Sequence, residues 1–501
     1  MDLSPSGHAD CSLSSPNQLE VSDQMAPQTG SVLQSVDSDP LLTRNQFHSW
    51  TESFAARLRA VGVRPGDVVT LNMPNCAAFV VTLHAVWQVG AACAPLNPGL
   101  TAREKAVIVD LVQPKLIVSC GETVPAGPVV TWGDPNGEPP EIERSSVRPV
   151  ATDSAAAEDR LVLFTSGSTG TPKAVALTAD NVDAGITSVT EHFELAEQDR
   201  TIAMLPWSHG HGLFAGVLAP LHSGGTVVVA TAKEIQQPHR LLAAARPTWL
   251  TVVPPQLDLI TDAVQRCGAE LPQMRFVRTA SSPLPRGSAQ RAEDVLQCPA
   301  VEALGLTETS HQAAADRPTW NRRPGTVGVP TGRTAVRISG EDVLGGGELE
   351  IRGPGLFRAY LGNADATTAA VTHDGWFRTR DIATIEDGGR IRMIGRASEI
   401  VNRGGFKIAP TEVEAILSQH PAVVGALVTG VDHRTLGQEV AAAVVVREGT
   451  SVRVRDLLRY CRDNLAEYKV PGRIRLVEAL PLLPNGKPSR RLIAPFFRTA
   501  P

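Results

Sequence analysis

Apolar and polar positions recur along the chain with two different periods. Across residues 45–61, Phe47, Trp50, Phe54, Ala55, Leu58 and Val61 return at helical spacing, which predicts an amphipathic helix. Pro65-Gly66-Asp67 predicts a turn, and Val68-Val69-Thr70-Leu71 a strand. The apolar run over 77–89 predicts a buried helix ended by Gly90, leading into an extended segment over 91–96. His84, Gln88 and Pro95 interrupt this run, so a helix followed by a strand is preferred to a membrane span. Short strands are expected over 31–35 and 115–119. Helix and strand patterns alternate from about residue 45 to about 300, the signature of a layered α/β domain with a largely parallel sheet. Towards the C-terminus, residues 440–446 read as a strand, and Leu457, Leu458, Cys461 and Leu465 share one helical face. The expected division is a mobile polar tail (1–28), a large layered α/β domain (29–395) and a small mobile α+β domain (396–501).

Composition narrows the function classes. A hydrophobic share of 42%, a charged share of 20% and a net charge of −5 over 501 residues describe a soluble globular chain with no general nucleic-acid affinity. The seven cysteines (Cys11, Cys76, Cys93, Cys120, Cys267, Cys298 and Cys461) form no C-x-x-C pair. Such a set reads as reduced thiols in a cytoplasmic protein, not as a disulfide frame or zinc site. The N-terminus lacks the features of a signal peptide, and the C-terminus is not a peroxisomal address.

The candidate chemistry begins with Leu161-Val-Leu-Phe-Thr-Ser-Gly-Ser-Thr-Gly-Thr-Pro-Lys-Ala-Val-Ala-Leu177. Two strand-length apolar runs flank a small, polar stretch, so the stretch is a loop between strands. Thr165, Ser166, Ser168, Thr169 and Thr171 supply hydroxyls, while Gly167 and Gly170 let backbone N–H groups approach a ligand. Lys173 adds a point charge, completing a cradle for a polyphosphate. It is not a Walker A loop, because Pro172 precedes the lysine and a strand-like run follows it. A Ser/Gly-rich linker is the plainer alternative.

Four further motifs follow in order. They are Gly305-Leu-Thr-Glu308, then Asp374-Gly-Trp-Phe-Arg-Thr-Arg-Asp381, then Gly395-Arg-Ala-Ser398 running into Asn402-Arg-Gly404-Gly405, and last Leu483-Pro-Asn-Gly-Lys487. Together with the loop they resemble the signatures of the adenylate-forming superfamily of acyl-CoA synthetases, luciferases and adenylation domains. The resemblance spans nearly everything after the tail. It implies a two-step reaction: a carboxylate attacks the α-phosphorus of ATP, pyrophosphate leaves, and a nucleophile then attacks the acyl-adenylate.

By the same resemblance, Thr165, Ser166, Gly167, Ser168, Thr169, Gly170 and Lys173 hold the phosphates. Thr307 bonds the α-phosphate, Glu308 ligates Mg²⁺, Lys487 is the catalytic lysine, and Asp381 and Arg396 bind the ribose. Ser282 and Leu304 border the adenine, Ser398 is the hinge, and Gly404 and Gly405 approach the pantetheine arm of CoA. Thr411 and Glu414 read as a capping box opening a helix through Leu417. Four positions depart from the family pattern: Ala174 for Gly, Leu304 for an aromatic, Arg380 for Gly and Ser398 for Asp or Lys.

His209 and His211, in Pro206-Trp-Ser-His-Gly-His-Gly-Leu213, lie near the expected acid pocket. A metal at this pair would lack a third ligand nearby. His211, Ser281, Ser282, His311 and Gln312 resemble the oxalate–CoA ligase branch, where such groups hold a second carboxylate. A fatty-acid pocket would not be built from them. The expectation is an ATP-, Mg²⁺- and CoA-dependent ligase of a small polar acid. The alternatives are a biosynthetic enzyme with an amine or carrier-protein acceptor, ATP-dependent nitrite activation, and an inactive nucleotide-binding protein.

Overall fold

The computed structural model describes residues 31–37, 39–120, 128–143, 146–147, 155–165, 172–268, 271–320, 323, 325–447, 449–481 and 488–497, with the backbone only at 341–343. The expected tail (1–28), the loop residues Ser166, Gly167, Ser168, Thr169 and Gly170, and Lys487 lie outside them.

The two strongest helical patterns form helices Arg44–Ala60 and Ala77–Val89. The first is opened by Thr43, whose hydroxyl accepts from the Gln46 N–H; the second ends at Gly90 with φ +82°, a left-handed stop that glycine takes without strain. Both pack on a seven-stranded sheet. From one edge this sheet runs Ala359–Tyr360, Lys173–Thr178, Asp159–Thr165, Ala92–Pro95, Val68–Asn72, Leu116–Ser119 and Val129–Thr131. Its pairs are parallel from Asp159–Thr165 to Val129–Thr131. The hairpin joining Asp159–Thr165 to Lys173–Thr178 is antiparallel, so the sheet is mixed at the edge that carries the candidate phosphate loop. Thr165 and Lys173 face each other across that hairpin and fix both ends of the loop.

A second sheet carries the other half of the site. Strands Trp249–Val252, Phe276–Thr279 and Ala300–Leu306 run parallel. His311–Ala315 then returns antiparallel after the 3₁₀ turn Thr307–Thr309. Alternation sends Val277 to one apolar cluster, with Val252, Leu257 and Ile260, and Phe276 to another, with Phe193 and Trp249. Arg278 shares the face of Phe276, where a charge is least expected.

Beyond two antiparallel strands, Phe377–Glu386 and Arg390–Arg396, a separate sheet gathers residues 401–476. It has its own core of Val401, Val413, Val428, Val440, Leu457 and Cys461. One expectation fails here. Helix Pro410–Leu417 is not opened by a Thr411–Glu414 capping box: its N-cap is Ala409, with Pro410 in the first turn and no side-chain cap. Proline needs no partner for a missing N–H at that position, which leaves both side chains for tertiary bonds. Thr411 donates to the Ile394 carbonyl at 2.5 Å; Glu414 accepts from the Val428 N–H at 2.7 Å and pairs with Arg490 at 2.8 Å.

Candidate active site

The acid end is built around Arg278, which is completely buried. Cross-strand register sets Thr251 opposite it, and Arg278 Nη1 donates to Thr251 Oγ1 at 3.1 Å and to His211 Nε2 at 3.0 Å. Nη2 donates to His311 Nε2 at 2.8 Å and to Gln312 Oε1 at 3.1 Å; Nε adds a bond to the same oxygen at 3.2 Å. The Gln312 amide nitrogen is turned towards the Ser188 carbonyl, 3.0 Å away. The two imidazoles stack with centroids 5.1 Å apart and planes 18° from parallel, and His211 Nδ1 lies 3.1 Å from Ser281 Oγ. The sequence-expected residues His211, Ser281 and His311 are therefore brought together.

The polar partners of Arg278 are two imidazoles, a hydroxyl and an amide oxygen; among the described residues no carboxylate pairs with it. Burial lowers its pKa to about 9, which still leaves it protonated at neutral pH. A buried, protonated guanidinium without a counter-charge is costly.

The backbone carries strain at the same place. Ser281, Ser310 and His311 have φ of +78°, +51° and +79°, conformations that non-glycine residues adopt at a cost and that gather at functional sites. A β-carbon on Gly305 would fall 2.1 Å from the His311 carbonyl oxygen, so only glycine lets the two strands close around this turn. His211 opens a π-helix, His211–Leu218, a rare form that often marks functional segments. His209 stands apart, 3.4 Å from Asn97 Nδ2. The described residues hold no group of three or more His, Cys, Asp or Glu able to take a metal ion.

At the nucleotide end, Asp381 and Arg396 face each other on paired strands, Oδ1 to Nε 3.0 Å. Burial raises the Asp381 pKa to about 6; Arg396 pulls against it, while Glu399, Glu308 and Glu348 push the same way as burial. Glu308 accepts from the Tyr360 hydroxyl at 2.8 Å, and Lys173 sits over the Tyr360 ring, 4.4 Å from its centroid. Burial, then Glu308, raises the Tyr360 pKa, keeping the phenol protonated as a donor. Glu308 Oε2 has no hydrogen-bond partner among the described residues. One hard carboxylate beside a polyphosphate site suits Mg²⁺, which is held by one or two carboxylates together with substrate phosphates.

The departures from the family pattern each have a place. Arg380 takes φ +61° where glycine would be unstrained, and its N–H is held by Glu348 Oε1 at 2.9 Å. Leu304, half-buried, packs with Val327, Leu349 and Ile391 and offers an apolar wall without a ring. Ala174 is buried in the strand after the loop. Ser398 is exposed in a single 3₁₀ turn between strands. Gly404 and Gly405, with φ of +59° and +93°, form the two-residue turn between strands Val401–Arg403 and Phe406–Ile408, a geometry that calls for glycine whatever ligand comes near. Thr165, Ser282 and Thr307 are half-buried.

Sequence reasoning missed Arg278, Thr251 and Tyr360. The one visible signal for Arg278 was a cation inside an apolar four-residue strand, just before the Thr279-Ala280-Ser281 turn.

A model of the AMP-binding enzyme family matches residues 23–361, and one of the AMP-binding enzyme C-terminal domain matches residues 412–487. The chain belongs to this family and is an ATP-dependent, AMP-forming ligase of the adenylate-forming CoA ligases, which use ATP and CoA. It is 33% identical over 485 residues to an oxalate–CoA ligase of Arabidopsis thaliana, covering 92% of this chain and 94% of that one. With a sulfoacetate–CoA ligase of Cupriavidus necator it shares 31% over 483 residues, 91% of this chain and 93% of the relative. The ATP-bound structure of MatB from Rhodopseudomonas palustris has the same fold, with a TM-score of 0.82 at 23% identity over 94% of this chain and 96% of that one. No described helix is long and apolar enough to cross a membrane.

Proposed function

We propose that this ligase activates a compact acid carrying a second anionic group, oxalate being the first candidate, and transfers it to CoA. The observation that carries the reading is the buried Arg278, which has no carboxylate partner among the described residues and stands beside His211, Ser281 and His311. An alkyl chain at this place would bring no acceptor for the Ser281 hydroxyl, a loss of about 1–3 kcal/mol, and no charge to offset Arg278. A second carboxylate would satisfy them and supply the missing charge. Two relatives, named for oxalate and sulfoacetate, take acids with two anionic ends, which supports the same reading.

In this reading Asp381 and Arg396 orient the ribose. Lys173 and the loop Thr165 to Gly170 hold the outer phosphates, Thr307 and Lys487 stabilise charge at the α-phosphate, and Glu308 holds Mg²⁺. The metal, when bound, supplies charge screening at the phosphates. Tyr360 holds Glu308 through its hydroxyl and backs Lys173 with its ring. Ser398 serves as the pivot between the two half-reactions, and Gly404-Gly405 borders the pantetheine arm.

The test is pyrophosphate release across a panel of oxalate, malonate, sulfoacetate, nitrite and octanoate, with CoA thioester formation followed by mass spectrometry. A short dianion should be turned over fastest, with its thioester as product. Octanoate turned over well above every short acid would overturn the reading. Pyrophosphate release with nitrite alone, without thioester, would replace it with the nitrite-activating alternative.

A further inference from the structure

Arg278 directs one N–H at the Nε2 atom of each stacked histidine, His211 at 3.0 Å and His311 at 2.8 Å. A guanidinium can only donate. Each Nε2 must therefore present a lone pair, so each ring is neutral and carries its single proton on Nδ1. The surroundings of His211 agree. Thr251 Oγ1 accepts from Arg278 at 3.1 Å and stands 2.8 Å from the same Nε2 atom, so the hydroxyl and the guanidinium crowd one side of the ring. His211 Nδ1–H then points at Ser281 Oγ, and the Ser281 hydroxyl retains a proton of its own to give. His311 Nδ1 lies on the side of Gly305, where a β-carbon would come within 3.0 Å of it.

We infer that Arg278 is a positioning and specificity-determining residue: by occupying both Nε2 lone pairs it turns His211 and His311 into Nδ1–H donors, and its charge, left without a counter-ion, makes this group select acids whose far end is an oxyanion. The choice of acid rests on the function proposed above; the tautomers do not. Arg278 stands behind the imidazoles and needs no contact with the acid. An oxyanion brings only acceptors, which match the Ser281 hydroxyl, itself held by the His211 Nδ1–H, and the Nδ1–H of His311. A methyl end would bring no acceptor for the Ser281 hydroxyl, and neither a methyl nor an amide end would compensate the cation.

Two measurements decide this. Selective ¹⁵N-histidine labelling reports which ring nitrogen holds the proton, with assignments from His211→Gln and His311→Gln. In the wild-type enzyme both rings should be protonated at Nδ1 only. Protonation at Nε2, or at both nitrogens, overturns the proposal. The second measurement is the ratio of kcat/KM for oxalate to that for acetate. In Arg278→Met it should fall on the order of ten- to a hundredfold, mostly through the KM for oxalate. Arg278→Lys keeps the charge but lacks the fork, and should recover part of the ratio; it also serves if the methionine variant fails to fold. An unchanged ratio in the folded variants overturns the proposal while leaving the oxalate reading standing. If the wild-type enzyme turns over no short dianion, the functional reading fails, and the labelling result alone decides whether Arg278 sets the tautomers.

Discussion

At the acid end, Arg278, His211, His311 and Gln312 are all buried, and the hydrogen bonds made by Arg278 all end on other members of the group or on Thr251. At the nucleotide end, Arg380 and Arg396 are exposed, Lys173 is half-buried, and Glu308, Glu348 and Glu399 all act on Asp381. In the first region Arg278 has no carboxylate partner among the described residues and is held by five hydrogen bonds. In the second, the carboxylates of Glu308, Glu348 and Glu399 act on Asp381, and Arg396 is the cation paired with it. In the proposed reading the acid end is organised before substrate arrives, with specificity set by fixed donors. The nucleotide end has its charges balanced by what binds, so its behaviour should follow ligand, metal and pH.

The largest effect is expected outside the contrast itself. Lys487→Ala should slow adenylation on the order of a hundred- to a thousandfold, as for loss of a transition-state donor, with little change in the KM for the acid. Single-turnover formation of adenylate at the wild-type rate would contradict the role given to Lys487.

Next comes Asp381. If its carboxylate accepts both ribose hydroxyls at about 1.5–3 kcal/mol each, Asp381→Ala should weaken ATP binding by at least about a hundredfold by calorimetry. Arg278→Met should leave ATP affinity alone; equal losses in both variants would erase the distinction between the two ends. The raised pKa of Asp381 adds a pH signature. Between the ordinary carboxyl value of 3.8 and about 6, the folded chain holds a proton that the unfolded chain has released. Stability without ligand should therefore fall as pH rises through this window, by up to about 3 kcal/mol from this group. ATP affinity should rise across the same window as the acceptor ionises. Denaturant titrations of wild type and Asp381→Asn at pH 4 and pH 7 measure the difference, and identical pH slopes would exclude it.

A smaller effect belongs to Tyr360. Tyr360→Phe keeps the ring under Lys173 but removes the donor to Glu308. It should lower kcat on the order of tenfold and raise the Mg²⁺ concentration needed for half-maximal rate. A rate unchanged at every Mg²⁺ concentration would show that Glu308 is held well enough without it.

The smallest effect is at Arg380. Arg380→Gly relieves a positive φ at the cost of added unfolded-state entropy, a net gain of up to about 1 kcal/mol. Thermal unfolding measures it. A clear loss of stability would mean that the Arg380 side chain contributes more than its backbone costs.

The motifs assigned to the nucleotide end are local. The hydroxyl-rich loop, Gly305-Leu-Thr-Glu308 and Asp381 lie in short segments whose residue types declare their chemistry, and the flanking runs at 159–165 and 173–178 form the expected strands. Helices Arg44–Ala60 and Ala77–Val89 were readable for a similar reason, since period and stop signals are written within one segment. The Thr411–Glu414 pattern was equally local and misled, because Pro410 relieves the need for a side-chain cap and Arg490, 76 residues on, takes the carboxylate.

What the sequence by itself determined was the order of elements and the family, since each depends on spacing within a few residues. What only the tertiary structure decided was the acid end. Arg278 meets Thr251, His211 and His311 across 27, 67 and 33 residues of chain, and that meeting depends on parallel register between strands and on the antiparallel return of His311–Ala315. Inside an apolar strand an arginine looks misplaced. It becomes intelligible once neutral acceptors from separate segments surround it, because a buried charge is tolerable only where the fold supplies its hydrogen bonds.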